Sequence, residues 1–315
     1  MYMELIRGLQ NLRPEHYGCV ATIGNFDGVH LGHQAVLGQL SEKAAEMGLP
    51  SVVIMFEPQP QEFFTPESSP ARLTRFREKL RSLLRFSIDR VLVLRFDQHL
   101  AGLSADEFIK QILREGLGIR YLVVGDDFRF GKMRQGDFAM LQSAGAEYGF
   151  QVVNMHTFNI DGERVSSTRI RKALIAGDLN TAEKLLGRPY RMCGRVAHGD
   201  KRGRSIGFPT ANIHLHRKAT PVQGVYCVEM FGLDVEPVEG VANVGTRPTV
   251  DGTRSLLEVH LFNFKNDIYG RYVHVDFVRK LRDELRFDSF EELKVQIEKD
   301  AADARDYFKK RDKVT

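Results

Sequence analysis

No apolar run in the chain approaches the roughly 20 residues needed to cross a bilayer. The first residues, MYMELIRGLQNLRPE, lack an apolar signal core, so no secretory segment is expected. Cysteine is scarce. Cys19, Cys193 and Cys227 are far apart, odd in number, and match neither a disulfide framework nor a zinc spacing. Each sits in an apolar, strand-like run, which predicts buried, reduced thiols in a cytoplasmic protein. There is no internal repeat and no Walker-type phosphate loop. A broad basic face is also lacking. Residues 1–186 carry 22 basic and 22 acidic side chains, and the rest carry 23 and 19. Between Arg188 and Arg204, six basic residues accompany one acid, Asp200, which indicates a local anionic ligand and argues against a nucleic-acid partner.

What remains is an ordinary globular composition over 315 residues, enough for about two domains. In the first half, short Val- and Ile-rich runs at Cys19–Ile23, Ser51–Phe56, Val91–Leu94, Tyr121–Val124 and Phe150–Asn154 read as strands buried on both faces. Helix-like segments lie between them. In one, His33–Met47, residues Val36, Leu37, Leu40, Ala44 and Met47 share a face before Gly48 stops it. This alternation predicts an α/β domain with a mostly parallel sheet, whose ligands bind at the carboxyl ends of the strands. Two short helices are expected from Ser166 to Gly187, with Ser167 or Thr168 capping the first and Asp178 the second, and a domain boundary near Gly187. Beyond it, Arg191–His198, Thr210–His214, Gly224–Phe231, Val238–Val244, Leu256–Leu261 and Tyr272–Phe277 read as six strands of a small antiparallel β-barrel. The tail is a helix with a capping box at Ser289–Glu292 and an apolar stripe of Phe290, Leu293, Ile297, Ala301, Ala304 and Phe308.

Three stretches of the first half carry chemistry. GNFDGVHLGH at Gly24–His33 joins a strand to a helix, and glycine with a helix start makes an anion site. His30 and His33 are three apart, so a helical start puts both on one face, where two imidazoles can donate to phosphate oxygens; a packed cap is the simpler role for one of them. RVSSTRIR at Arg164–Arg171 offers two hydroxyls, a helix start and cations, although taken alone a capped surface helix with solvated arginines is the simpler reading. VGDDFRFG at Val124–Gly131 can hold a planar, polar ligand, or form a turn with Phe128 or Phe130 packed inward.

Together and in this order, these stretches resemble the adenylyltransferase module of the bacterial bifunctional riboflavin kinase/FAD synthetase family. The resemblance implies a Rossmann-like nucleotidyltransferase domain at 1–186, in which His30 and His33 are catalytic contacts to the ATP phosphates and Asn25 and Asp27 help to build the turn. It implies that Arg164, Ser167, Thr168 and Arg171 bind the triphosphate, with Asp127 and Phe128 near the flavin. The reaction implied is attack by the FMN phosphate on the α-phosphorus of ATP, with Mg²⁺ present. Many members have Phe-x-Pro-His-Pro where this chain has Phe56–Pro60 with Gln59, which can donate a hydrogen bond but cannot become cationic.

In the second half, the glycine-rich basic stretch Gly194–Asn212 can cradle phosphates through backbone N–H groups, or form a basic surface hairpin before an ordinary strand. Thr210 and Asn212 point to one side of a strand and offer hard oxygen ligands for Mg²⁺. Glu258, an acid in an apolar strand, is either a general base or a solvent-facing residue. GRVAHGDKRGRSIGFPTAN, NVGTRPT at Asn243–Thr249, LEVHLF at Leu257–Phe262 and DIYGR at Asp267–Arg271 resemble the riboflavin kinase module of the same family. The resemblance implies a six-stranded barrel with a closing helix at 187–315. It implies ATP binding by Gly199, Lys201, Gly207, Thr210 and Asn212, Mg²⁺ at Thr210 and Asn212, and Glu258 as the base for the ribityl hydroxyl. The expected substrates are riboflavin, FMN and ATP, the expected assembly a monomer or weak homo-oligomer. Two other readings compete: a non-catalytic flavin or nucleotide binder, which the presence of His30, His33, Thr210, Asn212 and Glu258 disfavours, and a tRNA-linked adenylate-forming enzyme, which lacks an anticodon-binding segment here.

Overall fold

The computed structural model describes residues 3–155, 157–198, 207–217, 219–249 and 252–313, the side chains of 246–249 and 252–254 excepted. The chain forms two compact units, Met1–Pro70 with Phe76–Ser166, and Ala71–Arg75 with Ser167–Thr315.

The first unit is built on a six-stranded sheet. Its strands are β1 (Glu4–Arg7), β2 (Cys19–Ile23), β3 (Ser51–Glu57), β4 (Arg90–Arg95), β5 (Ile119–Gly125) and β6 (Gln151–Met155), in the order β1-β4-β3-β2-β5-β6. Every pairing is parallel. The apolar runs of β2 to β5 are continuous because both faces are covered. Cys19, Ala21 and Ile23 of β2 enter one buried cluster with Phe108, Ile112 and Leu113. Val20 enters the opposite one with Leu37, Leu40 and Ala44 of the helix Leu31–Met47. From β2 the chain moves outward through β3 and β4, then returns to add β5 on the other side. The carboxyl ends of β2 and β5 therefore flank the switch point, where a crevice forms in such sheets.

Three strands of this unit have no counterpart in the sequence reading. Strand β1 is a short edge strand paired to β4, with only Ile6 buried. Strands β7 (Asn159–Ile160) and β8 (Glu163–Arg164) form a two-stranded hairpin. The helix expected from His33 begins at Leu31 instead and ends at Met47, with Gly48 in the left-handed region.

In the second unit, β9 (Tyr190–Ala197), β10 (Ala211–His214), β11 (Gly224–Phe231), β12 (Val238–Thr249), β13 (Gly252–Leu261) and β14 (Tyr272–Arg282) close an antiparallel barrel in the order β10-β13-β12-β11-β14-β9. The β9–β10 ladder completes the ring. Met192, Ile213, Val228, Val244, Leu257 and Val275 are fully buried on one side of these strands. On the other side of β11 and β12, Val225, Cys227 and Val241 pack with Ala301, Ala304 and Phe308 of the closing helix Phe290–Arg311. Only the second half of the expected stripe is used in this way, and Phe290 is 50% exposed. The capping box is half-formed: Ser289 accepts from the Glu292 N–H, while the Glu292 carboxylate accepts from Asp288.

The helices Ser167–Ala176 and Leu179–Leu186 belong to this unit. Asp178 caps the second as expected, accepting from the Thr181 N–H. The first begins at Ser167, so Ser167 and Thr168 lie inside its first turn rather than before it. Ala71–Arg75, from the first half of the chain, is built in as well. Arg75 donates to the carbonyls of Leu215 (2.7 Å) and Cys193 (2.6 Å), and Arg217 donates to the carbonyl of Arg72 (2.8 Å).

Candidate active sites

The loop after β2 turns under tight constraint. Gly28 holds φ +86°, which glycine adopts freely, but Phe26 (φ +47°) and Val29 (φ +44°) occupy the left-handed region too. Both are 2% exposed, so buried packing holds a backbone that an aromatic and a β-branched residue disfavour. Such outliers persist where the surroundings over-determine them, which is common at functional sites.

His30 follows directly, and its role differs from the expected helical one. Its backbone is extended (φ −72°, ψ 171°) and it caps the helix: its Nδ1 accepts the His33 N–H at 3.2 Å. That bond places the neutral ring's proton on Nε2 and makes Nε2 a donor. His33, in the first turn, stacks on His30 with ring centroids 3.6 Å apart and planes 14° off parallel. Gly32 makes room for this pair, since a Cβ there would lie 3.3 Å from two atoms of the His30 ring. Burial, followed by the adjoining His30 ring and the charges of Lys79 and Arg164, holds the His33 pKa well below the usual histidine range. Its Nδ1 is a buried atom without a hydrogen-bond partner.

Lys79 is the residue the sequence reading missed. It is 0% exposed, and its ammonium donates to the Asn25 carbonyl in this same loop. Gln59, just past β3, is also buried, and its Nε2 has no hydrogen-bond partner. Its backbone N–H donates to Glu62 (2.9 Å) at the start of a short helix.

At the end of β5, Asp127 accepts from Arg164 of β8 at 2.7 Å, and Asp126 lies 3.7 Å from the same guanidinium. Partial burial opposes ionisation of Asp127, but the Arg164 hydrogen bond and charge outweigh it and bring its pKa below the usual carboxylate value. The two residues expected on opposite ligands, Arg164 on phosphate and Asp127 on flavin, are thus paired. Phe130 is the aromatic packed inward, and Phe128 stacks on it at 5.6 Å, partly buried. The motif RVSSTRIR is divided: Arg164 lies in the first unit, and Ser167, Thr168 and Arg171 in the second. There the Arg171 Nε donates to the Ala71 carbonyl at 2.8 Å.

In the barrel, strand register assembles a polar row. Asn212 of β10 is opposite Glu258 of β13, and Glu258 is in turn opposite Asn243 of β12. Cross-strand partners share a face, so these three side chains stand together. The intervening Ile213, Leu257, Val259 and Val244 are the buried set. Asn243 was part of a motif without an assigned role, and only the register reveals its place. Thr210 and Asn212 line a cavity of about 360 Å³ together with Val259, Phe264, Asp267 and Tyr269. Glu258 lies across the ladder from Asn212 rather than among the lining residues. The His260 ring is 3.0 Å from the Pro209 carbonyl, next to Thr210. Gly207 keeps φ +85°; Gly199 and Lys201 fall outside the described residues.

Comparison with known proteins finds two families along the chain. Residues 12–169 match the FAD synthetase family and residues 186–308 the riboflavin kinase family. A bifunctional riboflavin kinase/FMN adenylyltransferase of Haemophilus influenzae is 53% identical over 97% of this chain and 99% of its own length. The chain belongs to that family. It is an enzyme with a riboflavin kinase part and an FMN adenylyltransferase part. A protein of the same name from Pseudomonas fluorescens is 55% identical over 96% of this chain and 97% of its own length. A crystal structure described as a macrolide-efflux protein from Streptococcus pneumoniae superposes with a TM-score of 0.79 and 31% identity, covering 95% of this chain and 97% of that one. Efflux is said there of that protein; among the described residues here, no helix is long and apolar enough to cross a membrane.

Proposed function

We propose that the two activities are carried by separate side-chain sets: adenylyl transfer by the stacked His30–His33 pair in the first unit, and phosphorylation by the Asn212–Glu258 row in the barrel. The catalytic division proposed is 1–186 and 187–315. The observation that carries the first assignment is the stacked imidazole pair at the β2 end of the switch point.

In adenylyl transfer an FMN phosphate oxygen forms a bond to the α-phosphorus of ATP, and the bond to the β-phosphate oxygen breaks as pyrophosphate leaves. Charge builds on the bridging and non-bridging oxygens. His30 Nε2–H and the His33 ring donate to them, and the helix start adds its own N–H dipoles. Asn25 and Asp27 shape the loop. Asp127 orients Arg164, whose guanidinium has five donors and keeps some for phosphate. Asp127 and Phe128 border the flavin. The phosphate role of Ser167, Thr168 and Arg171 rests on the motif.

In the kinase reaction Glu258 accepts the proton of the ribityl 5′-hydroxyl as its oxygen attacks the γ-phosphorus, and ADP leaves. Asn212 and Asn243 hold that carboxylate between two amides. Thr210 and Asn212 supply neutral oxygens beside an anionic substrate, a donor set that fits Mg²⁺. When bound, Mg²⁺ neutralises phosphate charge. Gly199, Lys201 and Gly207 are proposed to cradle the phosphates.

The three free, buried thiols suit a reducing compartment, and a cytoplasmic monomer or weak homo-oligomer acting on small molecules without nucleic acid is the proposed setting. The test is incubation with riboflavin, ATP and Mg²⁺. FMN and then FAD are expected by chromatography. His30→Ala with His33→Ala stops FAD while FMN accumulates, and Asn212→Ala stops FMN while supplied FMN still yields FAD. Loss of both products from either set contradicts separate sites.

A further inference from the structure

A lysine with no exposed surface needs a reason. Burying an ammonium is costly unless it is hydrogen-bonded and its charge is used. Lys79 lies on the helix Phe76–Leu83, and its ammonium donates to the Asn25 carbonyl. Asn25 directly precedes the turn in which Phe26, Gly28 and Val29 all hold positive φ. The turn runs straight into His30, whose ring orientation is set by its cap bond to His33.

We infer that Lys79 is a positioning residue for adenylyl transfer: its ammonium fixes the Asn25 carbonyl and so sets the backbone that carries His30 and His33. It touches neither reacting atom in this role. Asn25 is the entry to the strained turn, and the buried Phe26, Asp27 and Val29 leave that turn little room to absorb a shift. A displacement at Asn25 therefore passes along the chain to both imidazoles. The charge of Lys79 also reaches His33, which further faces His30 from the loop and Arg164 from β8; all three favour a neutral His33 ring.

This inference rests on the reading of His30 and His33 as the phosphate donors, and the experiment separates the two. Full-length Lys79→Met and Lys79→Arg are compared with the parent and with His30→Ala/His33→Ala. The rate of FAD formation from FMN and ATP, the KM for ATP, and FMN formation by the barrel are measured in the same preparations. The His33 ring is titrated by NMR. Lys79→Met should lose about 100-fold in kcat for FAD, the scale of a 1 Å misplacement. FMN formation should stay within about twofold, and the His33 midpoint should move up toward the ordinary histidine value of about 6.5. Lys79→Arg, which keeps a cation and donors, should recover at least about tenfold of the loss. FAD formation within about threefold of the parent in Lys79→Met, an unmoved His33 midpoint, no recovery in Lys79→Arg, or a parallel fall in FMN formation each overturns the inference. Should the double histidine variant still make FAD at the parent rate, the reading of the donors fails instead.

Discussion

Replacing His30 by Asn and by Ala separates the cap seen in the structure from the donor role proposed for this residue. Its Nδ1 caps the helix Leu31–Met47 by accepting the His33 N–H, and its Nε2–H is the proposed phosphate donor. Asn is a strong N-cap and Ala is not, and losing such a cap costs about 1 kcal/mol. Neither replacement carries an imidazole. Removing one preorganised donor from developing charge costs about 2.7–4 kcal/mol, or roughly 10²–10³ in kcat. His30→Asn should therefore unfold at nearly the parent's urea concentration yet make FAD about 10²–10³ times more slowly. His30→Ala should show the same loss of rate plus about 1 kcal/mol of destabilisation in the first unit. Riboflavin phosphorylation serves as the internal control and should be unchanged in both. The assay is FAD formation from supplied FMN, with urea unfolding followed by circular dichroism. If His30→Asn makes FAD within about threefold of the parent rate, the imidazole is only a cap and the donor assignment is wrong.

Three further outcomes are expected. The His33 pKa is depressed in the folded state, so the unfolded chain binds the extra proton and stability falls as pH drops below about 6.5; His33→Asn should flatten this dependence of the urea midpoint between about pH 7.5 and 5.5. Arg164→Ala removes the partner that lowers the Asp127 pKa, so the Asp127 carboxyl, followed by NMR, should titrate at higher pH, and FAD formation should fall while FMN formation persists. Glu258→Gln keeps the size and a hydrogen bond but no basic oxygen; riboflavin phosphorylation should drop about 10²–10⁴-fold with FMN-to-FAD conversion intact.

The strands β2 to β5 are legible in the sequence because burial on both faces leaves unbroken apolar runs; β6 is an edge strand with no fully buried residue and is legible only from its short Val152–Val153 run, whereas β1 buries only Ile6 and reads as ordinary surface chain. The barrel strands are legible from alternation and turns, but β12, β13 and β14 run longer than their apolar cores because ladder pairing continues through polar residues. The H-x-G-H spacing fits a helical start and a cap equally well, so the cap at His30 needed the backbone angles. Lys79 left a signal: Phe76, Lys79, Leu80 and Leu83 recur at helical spacing, and a lysine in an apolar stripe is out of place. Asn243 left none, since its place opposite Glu258 is set by strand register alone.

The two sites present polar groups by different physical means, and this sets how each should fail. The first depends on a loop: strand ends deliver Gly24 and Gly125, and the imidazoles are aimed by left-handed backbone at Phe26, Gly28 and Val29. Small backbone shifts should degrade it gradually, which is the sense of the role inferred for Lys79, and Gly32 leaves room for the His30 ring. The second depends on register: Asn212, Glu258 and Asn243 meet because three strands are aligned residue for residue. A slip of one position would turn every member of a strand to the opposite face, exchanging Glu258 for Leu257 or Val259. Buried Ile213, Leu257 and Val244 oppose such a slip, since it would expose them. The hydrophobic alternation that closes the barrel is thus the same constraint that sets Glu258 opposite Asn212 and Asn243.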